Sequence, residues 1–167
     1  MELRRGWRPG VIGEIVRAHG LYYSREWAFG AFFEAKVAEE LASFVARLDP
    51  ARDLLLTAWS AENDFRASLV IDGSDTTLPE GVSHLRWFVA TDAARGAGVG
   101  GRMMAEAMGF LRTAGYTSCY LTTFAGLDAA RRLYETHGFR LVDERVGESW
   151  GVEVGEQRFE MEISTDV

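Results

Sequence analysis

The sequence predicts a single mixed α/β domain, built as a mostly antiparallel central sheet flanked by about four helices. Three observations carry that expectation. Between residues 32 and 48 apolar side chains recur at helical spacing. Runs 53–60 and 65–72 flank a polar turn, the pattern of an antiparallel hairpin. A strand-like run at 83–90 leads through a glycine-dense turn into a helical run at 102–112. At 167 residues and 47% hydrophobic, the chain suits one core and has no room for a second domain.

In chain order, residues 2–7 read as a first strand stopped by Pro9-Gly10, and 11–18 as a short helix that His19-Gly20 interrupts. The next helix carries Phe33, Val37, Leu41, Phe44, Val45 and Leu48 on one face and ends at Asp49-Pro50. The hairpin follows, turning at Ala61-Glu62-Asn63-Asp64. After strand 83–90, the helix behind the glycine turn directs Val99, Met103, Ala107 and Phe110 inward. Residues 118–122 form a short strand after Gly115. Leu127, Ala130, Leu133 and Tyr134 share a face, so 127–136 is an amphipathic helix, ended by His137-Gly138. Strands 139–145 and 157–163 close the sheet.

Composition narrows the partners. A net charge of −7 argues against a nucleic-acid surface, because phosphate binding is driven by clustered Lys and Arg. No apolar stretch follows the basic start, and no window approaches 18 apolar residues, so a soluble cytoplasmic protein without membrane contact is expected. With one cysteine, Cys119 in an apolar run, neither an internal disulfide nor a cysteine-rich metal site forms, and no metal is expected.

Chemistry concentrates at Arg95, Gly96, Ala97, Gly98, Val99, Gly100 and Gly101. A strand, then a glycine turn, then a helix presents backbone N–H groups and the positive end of a helix dipole to a diphosphate. Ala97, Gly98, Val99 and Gly100 are expected to point their N–H groups at it, with charge-assisted bonds from Arg95 and Arg102. The letters also satisfy G-x-G-x-x-G through Gly96, Gly98 and Gly101, but a dinucleotide fold wants an acidic residue about 20 positions on. Residues 115–125 hold none.

The spacing Arg95-x-x-Gly98-x-Gly100 resembles the acyl-CoA signature of the GNAT family of N-acetyltransferases. The stretch from Ala130 through Leu133 and Tyr134 to Gly138 and Phe139 resembles that family's A-x-x-(L/F)-Y-x-x-x-G-F segment, and the element order resembles its fold along the whole chain. The resemblance implies acetyl-CoA as the acyl donor, with its pantetheine arm paired like an extra strand to the backbone of Phe88, Val89 and Ala90. It implies that Tyr134 donates its hydroxyl to the departing sulfur, a reasonable match of a phenol of pKa about 10 to a thiol of about 8.5.

The general base is not named by the residues. Many relatives carry a Glu on the strand before the glycine turn, whereas 83–90 offers only His84 and Arg86; His84 reads as a surface or structural residue, and Glu26, acting through water, is the carboxylate candidate. Asp92 stands where a proline is common, and Leu127 where many members have a cofactor-touching Asn. The segment His19 to Trp27, with Phe32-Phe33-Glu34-Ala35, resembles the acetyltransferase half of bacterial proteins in which a MarR-type DNA-binding domain precedes a GNAT domain. By the same resemblance a loop carrying Tyr22, Tyr23, Glu26 and Trp27 borders the acceptor mouth, and 148–151 covers it. An aromatic staple between two helices is the other reading of those residues.

Two functions follow from different classes. One is an N-acetyltransferase acting on a small-molecule or protein amine; the other is a non-catalytic acyl-CoA sensor on the same fold. Oligomeric state stays open, a homodimer included.

Overall fold

Seven strands and four helices form among residues 1–164, the part of the chain that the computed structural model describes. In order they are β1 (Glu2–Arg5), α1 (Val11–Trp27), α2 (Ala31–Ala46), β2 (Leu54–Trp59), β3 (Phe65–Asp72), β4 (Val82–Ala90), α3 (Val99–Thr113), β5 (Ser118–Phe124), α4 (Asp128–Thr136), β6 (Arg140–Gly147) and β7 (Val154–Glu162). The sheet runs β1-β2-β3-β4-β5-β7-β6, and only the β4–β5 pair is parallel. The predicted class holds: mixed α/β, mostly antiparallel, with four helices.

Because successive strand residues face opposite sides, the sheet builds two apolar layers. Leu54, Leu56, Leu69 and Ile71 meet Met103, Ala107 and Leu111 of α3 on one side, with Tyr134 of α4 in the same layer. Leu55 and Val70 meet Ile15 of α1 and Val37, Leu41 and Phe44 of α2 on the other. A helix on each face is what the period-2 and period-3.6 patterns require of one another.

The first helix departs from expectation. Instead of stopping at His19-Gly20, α1 continues to Trp27. An internal glycine costs a helix about 1 kcal/mol, an amount tertiary packing easily overrides. Here α1 packs through Val11, Ile15 and its later turns against α2 and the sheet, and the nearest atom to a Cβ at Gly20 would be the flexible end of exposed Glu34. The helix ends at Ala28, left-handed at φ 56°, whose N–H bonds the Ser24 carbonyl while that of Phe29 bonds Tyr23. Tyr22, Tyr23, Glu26 and Trp27 therefore ride on the last turns of a helix rather than on a loop. Among the other elements, α3 begins inside the glycine run at Val99, three residues before the predicted start.

One irregularity shapes the site. Between Ser68 and Val70 of β3 the register with β4 slips, and Trp87 opposite adopts φ 46°. The Ser68 hydroxyl donates to the Trp87 carbonyl at 2.7 Å and holds this bulge. As a result Arg86 and Trp87, though consecutive, both meet the α1/α2 side: Arg86 pairs with Glu40 of α2, and Trp87 packs on Phe44. A bulge bends the strand that carries it. Pairing of β4 with β5 stops at His84↔Tyr120, and beyond that point the two strands part.

Candidate active site

Where β4 and β5 separate, the β5-facing backbone groups of the second half of β4 have no strand partner, and the gap opens into a cavity of about 1200 Å³. Buried backbone N–H and C=O groups without partners are unfavourable, so a wedge of this kind asks for an occupant that pairs like a strand. Phe88, Val89 and Ala90 line it, as do Thr122, Thr123 and Phe124 from β5.

The glycine turn closes one end. Arg95, Gly96, Gly98, Val99 and Gly100 lie on the cavity wall, whereas Ala97, Gly101 and Arg102 do not. Gly98 is the N-cap of α3 at φ 73°, with no side-chain cap, so the first N–H groups of the helix are left for another acceptor. Positive φ with open space beside it explains the glycine at 98; at Gly100 the reason is different, since a Cβ there would sit 3.1 Å from Leu133 and 3.5 Å from Phe88. Two sequence expectations need correcting here. The Ala97 N–H is spent on the Ala94 carbonyl at 3.3 Å, and the Arg102 guanidinium bonds the Met1 carbonyl. Arg95 is likewise engaged, pairing with Asp92 at 3.0 Å, donating to the Ala90 carbonyl and stacking 4.3 Å over the Tyr22 ring. Asp92 also pairs with Arg25 of α1, which fastens that helix to the turn.

Tyr134 stands on α4 among Phe88, Phe139 and Phe159, and its side chain reaches the cavity wall. Burial raises its phenol well above the ordinary value, so it stays protonated and keeps its O–H as a donor at neutral pH. Tyr23 is raised as well, by burial first and then by the neighbouring Tyr134 and Tyr22 hydroxyls. Both phenols line the same cavity, from helices in opposite layers of the fold, a relation that no sequence spacing reveals.

The four acceptor candidates divide. Tyr22 and Tyr23 line the cavity, while Glu26 and Trp27 lie off it. Glu26 is exposed and paired with Arg25. Trp27 packs edge-on against Phe124 and covers Gly126, where a Cβ would meet its ring at 2.3 Å. Trp27 therefore joins α1 to β5 and the loop after it, rather than stapling two helices. Ser149 and Trp150 reach the wall, and Leu127 lines it with an apolar side chain.

Several wall residues carried no sequence signal. Lys36 and Glu40 come from α2, Arg158 and Glu156 from β7, and His19 from the middle of α1. Arg86 is immobilised by Glu40 and by Asp72, a fully buried carboxylate that Arg47 also grips through two 2.7 Å bonds. His84 is stacked 4.2 Å from Tyr120, and burial together with Arg86 lowers its pKa to about 3, so it is neutral. The opposite pole, Cys119, is buried, and its thiol is pushed up to about 12, which makes it inert.

The fold is similar to solved structures of acetyltransferases. Ribosomal-protein-alanine N-acetyltransferase from Brucella melitensis superposes with a TM-score of 0.76 at 15% identity, covering 97% of this chain and 99% of that one. A GNAT-family acetyltransferase from Staphylococcus aureus gives 0.75 at 11% identity, with 98% and 100% covered. A point mutant of spermidine N-acetyltransferase from Vibrio cholerae gives 0.66 at 16% identity, with 98% and 96% covered. No curated protein matches the sequence. The family model described as the acetyltransferase (GNAT) family matches residues 14–139, which includes the parted strands, the glycine turn and the Tyr134 helix, and the chain belongs to that family.

Proposed function

We propose that the protein is an N-acetyltransferase that moves an acetyl group from acetyl-CoA to an amine. The observation that carries this reading is the parting of β4 from β5 with the uncapped N-terminus of α3 at its end. An edge of free backbone groups beside an anion-binding helix terminus fits a ligand that is amide-bearing in the middle and polyanionic at one end. Phe88, Val89 and Ala90 would hold the pantetheine arm, and the N–H groups of Gly98, Val99 and Gly100 the diphosphate. Arg95, on the cavity wall, supplies positive charge beside it.

When bound, acetyl-CoA supplies the thioester carbonyl and the sulfur leaving group. The residues around it hold and orient. Backbone N–H groups near Phe88 to Ala90 polarise the carbonyl as an oxyanion hole would. Tyr134, kept protonated by burial, donates its hydroxyl to the sulfur as it leaves. Tyr22, Tyr23 and Trp150 bound the acceptor side of the same cavity. Neighbours named for spermidine and for the alanine of a ribosomal protein support an amine as acceptor. The likeness of 19–35 to the acetyltransferase half of MarR-type fusions is consistent with this reading and adds no partner to it.

Isotope-labelled acetyl-CoA, supplied with a panel of amino acids, polyamines, arylalkylamines and peptide N-termini, tests the proposal by mass spectrometry. Label in an amine is expected. Tyr134→Phe should then lower turnover by about 10- to 1,000-fold and leave CoA affinity nearly unchanged. Binding of acetyl-CoA with no label in any amine would favour the sensor reading instead.

A further inference from the structure

His19 occupies the middle of α1, is only 4% exposed, and still forms part of the cavity wall. Its Nδ1 lies 2.8 Å from the Ile15 carbonyl one turn back. A carbonyl offers no hydrogen, so Nδ1 must be the protonated nitrogen and Nε2 keeps its lone pair. Nε2 has no partner among the described residues. Nor is it sealed away, because the unpartnered polar atoms closed off from solvent there are Arg8 Nε and Thr91 Oγ1. Solvent can serve this acceptor in the free protein, so a molecule that fills the cavity has to bring a donor of its own to avoid leaving Nε2 unmatched.

The walls around it are chiefly aromatic. Tyr23 stacks on the His19 ring, Phe33 and Phe124 pack on Tyr23, and Trp150 packs on Phe124. Glu40, the carboxylate that α2 contributes to this cavity, is shared between Lys36 and Arg86. The imidazole is itself neutral: burial lowers its pKa to about 4, against a small opposing effect of the Ile15 bond. His19, Tyr23 and Tyr134 all line this one cavity.

We propose that His19 Nε2 accepts a hydrogen bond from the nitrogen of the acceptor, and that this acceptor is an amine on an aromatic body, bound with its nitrogen uncharged. The inference rests on the acyl-transfer reading and adds to it the side chain that touches the amine and the class of molecule that carries it. An uncharged nitrogen holds the lone pair that attack requires, while its N–H groups remain free to donate.

Two substitutions separate this role from a structural one. Asn carries its amide nitrogen near the position of Nδ1, so His19→Asn keeps the bond to Ile15 and offers nothing at Nε2. Gln reaches the Nε2 position, so His19→Gln restores an acceptor there. With acetyl-CoA and benzylamine or aniline as probes, His19→Asn and His19→Phe should lower kcat/KM for the amine about 10-fold, the worth of one hydrogen bond. His19→Gln should retain most of it, and KM for acetyl-CoA should stay unchanged in all three. Full activity in His19→Asn or His19→Phe would overturn the proposal, as would a preference for spermidine over both aromatic probes.

A second readout needs neither turnover nor variants that fold. In the wild-type protein with CoA bound, the 15N resonance of the unprotonated His19 Nε2 should move when benzylamine is added. An unmoved resonance at saturating amine overturns the proposal. If the resonance moves while no amine is ever acetylated, the contact stands and the transfer reading is what fails.

Discussion

Acid should destabilise this protein partly through His19, and replacing that residue should blunt the loss. Burial lowers the imidazole from 6.5 to about 4, so between those pH values the folded state binds fewer protons than the unfolded chain. Stability therefore falls as pH falls through this window. Above pH 6.5 neither state is protonated and no penalty exists; below about 4 the penalty is complete. Its full size is about 3 kcal/mol, and about 2 kcal/mol is already lost near pH 5. Against a typical total of 5–15 kcal/mol that is a large fraction. His84 adds a loss of the same sign, because burial and then Arg86 depress it to about 3. The informative quantity is thus a difference. Urea unfolding of the wild type and of His19→Gln at pH 7.5, 6, 5 and 4.5 should give stability curves that diverge at neutral pH and draw together by about 2 kcal/mol on the way to pH 5. Parallel curves would refute the reasoning, since they would mean that His19 takes up protons as readily in the folded state as in the unfolded one.

Two further outcomes follow from the geometry. Gly98→Asp has open space and a residue type that tolerates left-handed backbone, and its carboxylate can cap α3, so the fold should persist. That same carboxylate would occupy the anion site and weaken acetyl-CoA binding by about 2 kcal/mol, read by calorimetry with Gly98→Asn as the neutral control. Asp72→Asn removes the buried charge that Arg47 and Arg86 share, and should cost about 3–5 kcal/mol in urea unfolding; an unchanged midpoint would show that the two arginines find other partners.

The sequence by itself determined the elements and their order. Period-3.6 spacing from Phe33 to Phe44 and the polar turn at Ala61 to Asp64 are local signals, and local signals are what a linear reading can hold. The glycine turn was legible for the same reason, because left-handed backbone at Gly96 and Gly98 needs glycine wherever the chain goes next. The Tyr134 helix was legible too, from the run of apolar residues on one face.

Only the tertiary structure decided the rest. That α1 passes through Gly20 depends on how the helix packs against α2 and the sheet, and a glycine read alone looks like a stop. Which groups are engaged was equally hidden: the Ala97 N–H and the Arg102 guanidinium each have partners supplied by the fold. The cavity itself exists because a bulge at Trp87 turns β4 away from β5, and strand separation is a relation between segments about 30 residues apart rather than a property of either. His19, hidden in an amphipathic helix, became a wall residue for that reason alone. Periodicity states which face a side chain takes, while pairing, burial and the spaces left between elements arise from contacts distant in sequence, and those contacts set the chemistry of the site.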